Sequence, residues 1–346
     1  MKNTKTLLAT SILVLFLGTN LFAQHLYPIK QDGLYGFINI EGKVIIEPKF
    51  EKGYDFSERY GRIKQGGLYG YIDHKGKVVI EPQFDEARDF SEDVACVKKE
   101  GHWFYIDRMG KSVIKLKDAD YAYSFREGFA RYHHIEKESK LDDYGFIDHT
   151  GSIILLPTYH LAYDFHDGLA RVSSDGKKWG FIDKTGKLII EETFDACFDF
   201  WEGMANVRIG SESDSKWGFI DKTGKFVIEA TYDKAFYFDE ERAIVRVGSA
   251  KDGKYGYIDT GGKMIIEANN DGAHHFQDGL ACVGKNSGRD MEWGYTDKDG
   301  KIVIAHQFTV PSEFVNGLAY VRIGSLKDGT QGYINHKGEF VWTLTK

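Results

Sequence analysis

Immediately after a small residue that recurs along the chain, one column of positions reads Tyr54, Arg88, Tyr123, Tyr163, Phe198, Phe236, His274 and Ser312. The next column reads Asp55, Asp89, Ser124, Asp164, Asp199, Tyr237, His275 and Glu313. A flat ring beside a carboxylate suits a sugar or an extended peptide, because the ring face takes an apolar face of the ligand and the acid takes hydroxyls or a cation. If the first column faces solvent, Tyr54, Tyr123, Tyr163, Phe198 and Phe236 with Asp55, Asp164 and Asp199 make a ligand-facing ladder. The competing arrangement lays the same rings over the seams between neighbouring repeats, where they serve packing.

Other chemistry is poorly represented. His133-His134 and His274-His275 are adjacent pairs, and adjacent strand residues point to opposite faces, so neither makes a two-ligand clamp. The chain has no Cys-x-x-Cys, His-x-x-x-His or His-Glu-x-x-His, no P-loop, no dinucleotide fingerprint and no Gly-x-Ser-x-Gly elbow. No metal, cofactor or catalytic residue is therefore expected, and the chain reads as a non-enzyme. Its 52 acids still permit a carboxylate pair for hydrolysis, so the alternative is a periplasmic hydrolase with its site in an irregular repeat. The inserted stretch from Ile135 to Asp142 breaks the period, but its Lys/Glu composition is that of a solvated loop.

What must position the columns is a repeat. The phrase Trp/Tyr-Gly-Phe/Tyr-Ile-Asp/Asn-x-x-Gly-Lys begins at Tyr35, Tyr69, Trp103, Tyr144, Trp179, Trp217, Tyr255, Trp293 and, with the aromatic lost, Gln331. Trp179-Gly-Phe-Ile-Asp183 alternates as a strand with one packed face does, and its glycine marks the close approach of a neighbouring ring or backbone. Asp183-Lys-Thr-Gly186 is a turn, with the Asp bonded to backbone ahead of it and the glycine at positive φ. The stretch from Lys187 to Glu191 returns as a β-branched second strand. A connector such as 84–90 follows, then a third strand such as 169–172. The acids two residues after the connector Phe (Glu58, Glu92, Glu127, Asp167, Glu202, Glu240 and Asp278) are expected to hold the bend before the third strand.

The chain starts on a third-type strand, Leu26-Tyr-Pro-Ile-Lys30, and ends on Phe340-Val-Trp-Thr343. Cutting at the connectors gives nine whole three-stranded antiparallel meanders, about 26–47, 60–82, 94–116, 129–157, 169–192, 204–230, 243–268, 280–306 and 318–344. A ring locked by one blade built from both termini would leave a half unit at each end, and none exists. The expected fold is all-β, a curved open array of nine meanders stacked neighbour on neighbour, with a closed propeller-like ring as the alternative.

The phrase with its tail, Ile-Ile-Glu-Pro-x-Phe-Asp-x-Ala and then Phe-x-Glu-Gly-Leu-Ala-x-Val, resembles the bacterial WG-repeat (KWG repeat) family over residues 26–344. The resemblance implies a repeat protein of bacterial origin. It implies no activity, because the family is named for its repeat. Phe104 in place of the phrase glycine, Ser152 in place of Lys and Gln331 in place of the aromatic are local departures.

Residues 1–23 read as a secretory signal, with Lys2 and Lys5, an apolar stretch from Leu7 to Leu17, and Ala23 before Gln24. The remaining 24–346 form one domain without a linker. The formal charge of −7 becomes −9 once Lys2 and Lys5 are removed, which disfavours nucleic acid. Cys96, Cys197 and Cys282 read as small buried hydrophobes. A Cys96–Cys282 bridge would require the array to curve back on itself. The sequence as a whole describes an exported binding or scaffolding module for a protein or glycan partner, placed in the periplasm, at the cell surface or outside the cell. It would have no membrane span after cleavage.

Overall fold

The phrase folds as a hairpin for the reasons its residues supply. Asp183 accepts from the amides of Thr185 (2.8 Å) and Lys187 (3.1 Å) through one oxygen, and Gly186 takes φ 81°. The phrase glycine is imposed by the returning strand. Trp217 opposes Tyr232 and Phe219 opposes Ile228, a bulge that carries the fourth strand of the sheet across Gly218. A Cβ at Gly218 would lie 2.5 Å from the Ile228 carbonyl oxygen. In the third repeat the bulge is missing. There Phe104 opposes Lys115 and Tyr105 opposes Ile114 in plain register, so a side chain fits where glycine stands elsewhere.

These hairpins belong to a computed structural model that describes residues 25–116, 119–135, 142–210, 214–287, 290–325 and 327–344. The signal expected over 1–23 and most of the inserted loop lie outside them. The described regular structure is β-strand, in nine antiparallel sheets. We number the sheets as blades 1 to 9: 27–50, 52–84, 86–115, 121–159, 161–194, 196–232, 234–270, 272–308 and 319–343. The connectors are themselves part of the sheets. Glu86–Ala87 pairs with Ala95–Lys99, and the equivalent segments give blades 2 to 8 four strands where the sequence reading counted three. Blades 1 and 9 have three strands, and Val310 adds a single bridge to Arg322 in blade 9.

The blades close into a ring. The fold is a nine-bladed β-propeller, and the open array expected from the sequence is overturned by contacts between the first and last blades. At eight seams the third ring of the phrase meets the connector phenylalanine of the next blade, with centroids 4.8–5.2 Å apart, from Phe37–Phe56 to Tyr295–Phe314. At the ninth seam Tyr333 of blade 9 meets Tyr27 of blade 1 at 5.5 Å. The Tyr27 hydroxyl donates to the Asn316 carbonyl (2.5 Å), and the Tyr333 hydroxyl donates to the Pro28 carbonyl (2.9 Å).

Tyr27 performs this closure from an unusual position. The equivalent residues of the other blades are Gly61, Ala95, Ala130, Ala170, Ala205, Ala243, Ala281 and Ala319. They are small because the connector ring lies on them: a Cβ at Gly61 would stand 2.8 Å from Phe56. Blade 1 has no connector strand, and the Tyr27 side chain supplies the missing ring. The ring is therefore locked by a buried cluster centred on Tyr27, with Ile29 and Ile38 of blade 1 against Leu318 and Tyr333, without a blade shared between termini. The open edge of blade 1 carries Pro28, which has no amide donor, and Lys30, two residues that discourage further pairing. The cysteines are free and buried; Cys96 and Cys282 lie on blades 3 and 8 and do not bridge even though the ring closes.

Candidate functional site

Radiating sheets of a propeller surround a central channel, and here the connectors are the strands bonded to one another from blade to blade. The acids two residues after the connector Phe hold bends, but those of the following blade. Glu92 accepts from the Gly128 amide (2.9 Å), Glu127 from Gly168 (2.8 Å), Asp167 from Gly203 (2.6 Å) and Asp278 from Gly317 (2.7 Å). All four sit in the left-handed region at φ 50–54°, which aims the side chain across the seam. This repeated bond fixes the inner rim on which both sequence columns lie.

The first column is half-buried and packs inside its own blade. Tyr54 lies 6.3 Å from Tyr69, Tyr123 6.3 Å from Tyr144, Tyr163 5.8 Å from Trp179 and Phe198 5.6 Å from Trp217. Three of these rings also carry a guanidinium on their faces: Arg62 over Tyr54 (3.7 Å), Arg131 over Tyr123 (3.7 Å) and Arg171 over Tyr163 (3.5 Å). Phe236 stands edge-on to His275 at 6.1 Å. The same arginines reach the second column in the next blade, as Arg62–Asp89 (2.8 Å), Arg131–Asp164 (2.7 Å) and Arg171–Asp199 (2.7 Å). Asp55 has no arginine partner among the described residues. The structure thus ties Asp164 and Asp199 into ion pairs and sets Tyr54, Tyr123 and Tyr163 between a guanidinium and a core aromatic.

A second, unbroken run of rings crosses blades 5 to 8. His166 lies 4.5 Å from Trp201, Trp201 stacks on Tyr237 at 5.3 Å, and Tyr237 stacks on His275 at 3.7 Å with planes 9° apart. Trp201 is 36% exposed. Beside the run, Gln277 donates to Asp239 (2.6 Å), and His166 Nε2 is 4.0 Å from Asp199. Tyr237 and His275 belong to the second column. His166 and Trp201 belong to a column passed over in the sequence, the residue directly after the connector Phe: Ser57, Ser91, Arg126, His166, Trp201, Asp239, Gln277 and Val315. Its signal is diversity at a position flanked by near-constant residues.

Burial and neighbouring His274 push the His275 imidazole down to about 4. In the unfolded chain such a ring titrates near 6.5, so between those values the unfolded state binds the extra proton. The stability from this site is full above about pH 6.5 and falls as pH drops toward 4. The melting temperature of the wild type is expected to decline through that window. His275→Phe, which keeps a stacking ring and removes the proton, should make the decline shallower; superimposable profiles would contradict a neutral ring in the fold. His25, His74, His166, His274 and His306 are pushed down by burial too, so the flattening is partial.

A polar cleft on the rim, about 320 Å³, lies over blades 2 to 5 and is lined by Arg62, Arg88, Asp89, Ser124, Arg126 and Asp164 among others. Among the described residues no group of three or more His, Cys, Asp or Glu is placed to hold a metal ion.

No curated protein matches the chain. Among solved structures, one described as the eukaryotic initiation factor is similar over 93% of this chain and 98% of its own, with 12% identity and a TM-score of 0.63. Hsv2 from Kluyvelomyces marxianus (70% and 92% covered, 10% identity, TM-score 0.43) and the β-propeller domain of the Trilobed protease from Pyrococcus furiosus (90% and 97%, 11%, 0.39) are more distant. At these identities the likeness concerns the fold. The family model described as WG containing repeat matches residues 35–69, 69–103, 103–132, 144–177, 179–212, 217–249, 255–288 and 293–326. Those matches cover most of the chain, which therefore belongs to the WG-containing repeat family.

Proposed function

We propose that this protein is an exported, non-enzymatic binding module that takes a glycan along the inner rim of its propeller. A ring of repeats supplies a rigid interaction scaffold, and the reading within that class rests on the four-blade run of His166, Trp201, Tyr237 and His275. The stacked rings cover one another's faces and hold Trp201, the exposed member of the run, where it gives a sugar unit an apolar surface, and the Gln277–Asp239 pair beside them offers planar donors and acceptors for hydroxyls. The first column contributes by fixing the arginines of the rim. Lys2, Lys5, the apolar stretch after them and Ala23 support export.

The test is calorimetric titration of linear oligosaccharides into wild type and Trp201→Ala. Removing the exposed platform should weaken binding about tenfold, the equivalent of roughly 1–2 kcal/mol of stacking. The melting temperature should stay within a degree or so, because Trp201 is only partly buried. Equal affinity in the two proteins would remove the stacked run from the binding surface.

A further inference from the structure

Three seams of the rim repeat one bond. A guanidinium on the second strand gives one N–H to a carbonyl of the next connector and another to its carboxylate: Arg62 to Ala87 and Asp89, Arg131 to Ala162 and Asp164, Arg171 to Cys197 and Asp199. The seam between blades 3 and 4 departs on both sides. Its second strand has Cys96 in the place of the arginine, and the guanidinium comes from Arg88 of the connector, whose Nε donates to the Ala122 carbonyl at 3.0 Å. The carboxylate's place is taken by Ser124.

Arg88 thus keeps the carbonyl half of the repeated bond and lacks the carboxylate half. No acid lies within ion-pair distance of it among the described residues. It is held over the faces of Tyr121 and Tyr123, at 5.1 and 5.0 Å, and its other polar partner is the neutral Cys96 thiol, so its charge has no carboxylate opposite it. Arg126 lines the same cleft and makes no side-chain hydrogen bond or ion pair among the described residues. The two acids of the cleft, Asp89 and Asp164, are already engaged by Arg62 and Arg131. Two uncompensated guanidinium groups therefore share one cleft with the Ser124 hydroxyl, in a chain whose formal charge is −7. Such a site selects planar oxyanions that accept two N–H groups at once.

We propose that this cleft binds a carboxylate of the ligand in the place that Asp89, Asp164 and Asp199 occupy at the neighbouring seams, and that the ligand is an acidic glycan bearing uronate groups. The glycan assignment rests on the stacked run. Arg126, His166 and Trp201 occupy the same column on blades 4, 5 and 6, so a chain anchored in the cleft continues along that column onto the rings. In a chain with a net negative formal charge, this cationic gap would be the point at which an acidic ligand is recognised.

Trigalacturonate, its neutral methyl ester and a tri-aspartate peptide, each titrated into the mature chain, test the proposal. Trigalacturonate should bind at least about tenfold more tightly than the ester. Ser124→Asp restores the repeat's own carboxylate. It should hold or raise the melting temperature and weaken trigalacturonate about tenfold or more, and Arg126→Ala should weaken it comparably without thermal cost. Unchanged affinity in both variants would overturn the carboxylate cleft. Tri-aspartate binding more tightly than trigalacturonate would overturn the glycan assignment and leave the cleft standing. Trp201→Ala separates the two readings: if it binds trigalacturonate as wild type does and Ser124→Asp does not, the stacked run fails and the cleft stands.

Discussion

Tyr27→Ala should lower the stability of the whole ring by about 3–5 kcal/mol, the usual cost of emptying a buried aromatic site. Tyr27 is 3% exposed, carries the ring contact to Tyr333 and donates to the Asn316 carbonyl, so one substitution removes the central contacts of blade 9 with blade 1. The effect is large because Tyr27 is the aromatic centre of this seam's buried cluster, with Ile29, Ile38, Leu318 and Tyr333 around it. The other eight seams have a connector phenylalanine, backed by a connector strand in blades 2 to 8, whereas blade 1 has neither. Tyr27→Phe keeps the ring and loses only the hydroxyl, and should cost about 1 kcal/mol. Guanidinium denaturation followed by tryptophan fluorescence reads both. A Tyr27→Ala midpoint equal to that of the wild type would mean that the ends do not hold each other.

Gly218→Ala should be as damaging, by about 3 kcal/mol or more, for a different reason. The added Cβ meets backbone, 2.5 Å from the Ile228 carbonyl oxygen and 2.6 Å from the Ala230 nitrogen, and backbone in a bulged strand cannot rotate away as a side chain can. The informative control is Gly128→Ala. That glycine has φ 88° and open space around it, so only the left-handed conformation is penalised, at about 1–2 kcal/mol. Matching losses in the two variants would show that backbone conformation, and not the crossing strand, makes the phrase glycine necessary. Blade 3 shows the alternative solution, where Phe104 pairs directly with Lys115 of the fourth strand, which shifts register only between Tyr105 and Ile106.

Much of this was legible in the sequence because repeats make local physics visible. The Asp-x-x-Gly turns, the close backbone approach at the phrase glycine and the pairing of its two strands follow from residue types alone. The connector's own strand was not legible: in four blades it is two residues long, as in Glu86–Ala87 or Ala196–Cys197, too short to show a period. Closure was misread because a shared blade was taken as the lock, whereas the lock is a tyrosine in a column of glycine and alanine. The candidate site was half legible. Spacing put the aromatic and acidic columns side by side, but the side-chain partners come from other blades. Only the fold shows that Asp164 and Asp199 are spent on arginines while Trp201 and Arg126 stay exposed. Arg88 and Ser124 interrupt an aromatic and an acidic column, and what the interruption means depends on knowing that residues of neighbouring blades meet across a seam.

The rim is one continuous surface only if the ring is closed, so the direct test is small-angle X-ray scattering of the mature chain. A closed nine-bladed ring of this length should give a radius of gyration of about 20–22 Å, near the scaling for compact domains, with a distance distribution that ends sharply. An open array would give a value well above about 25 Å and a long tail in that distribution, and would contradict the account.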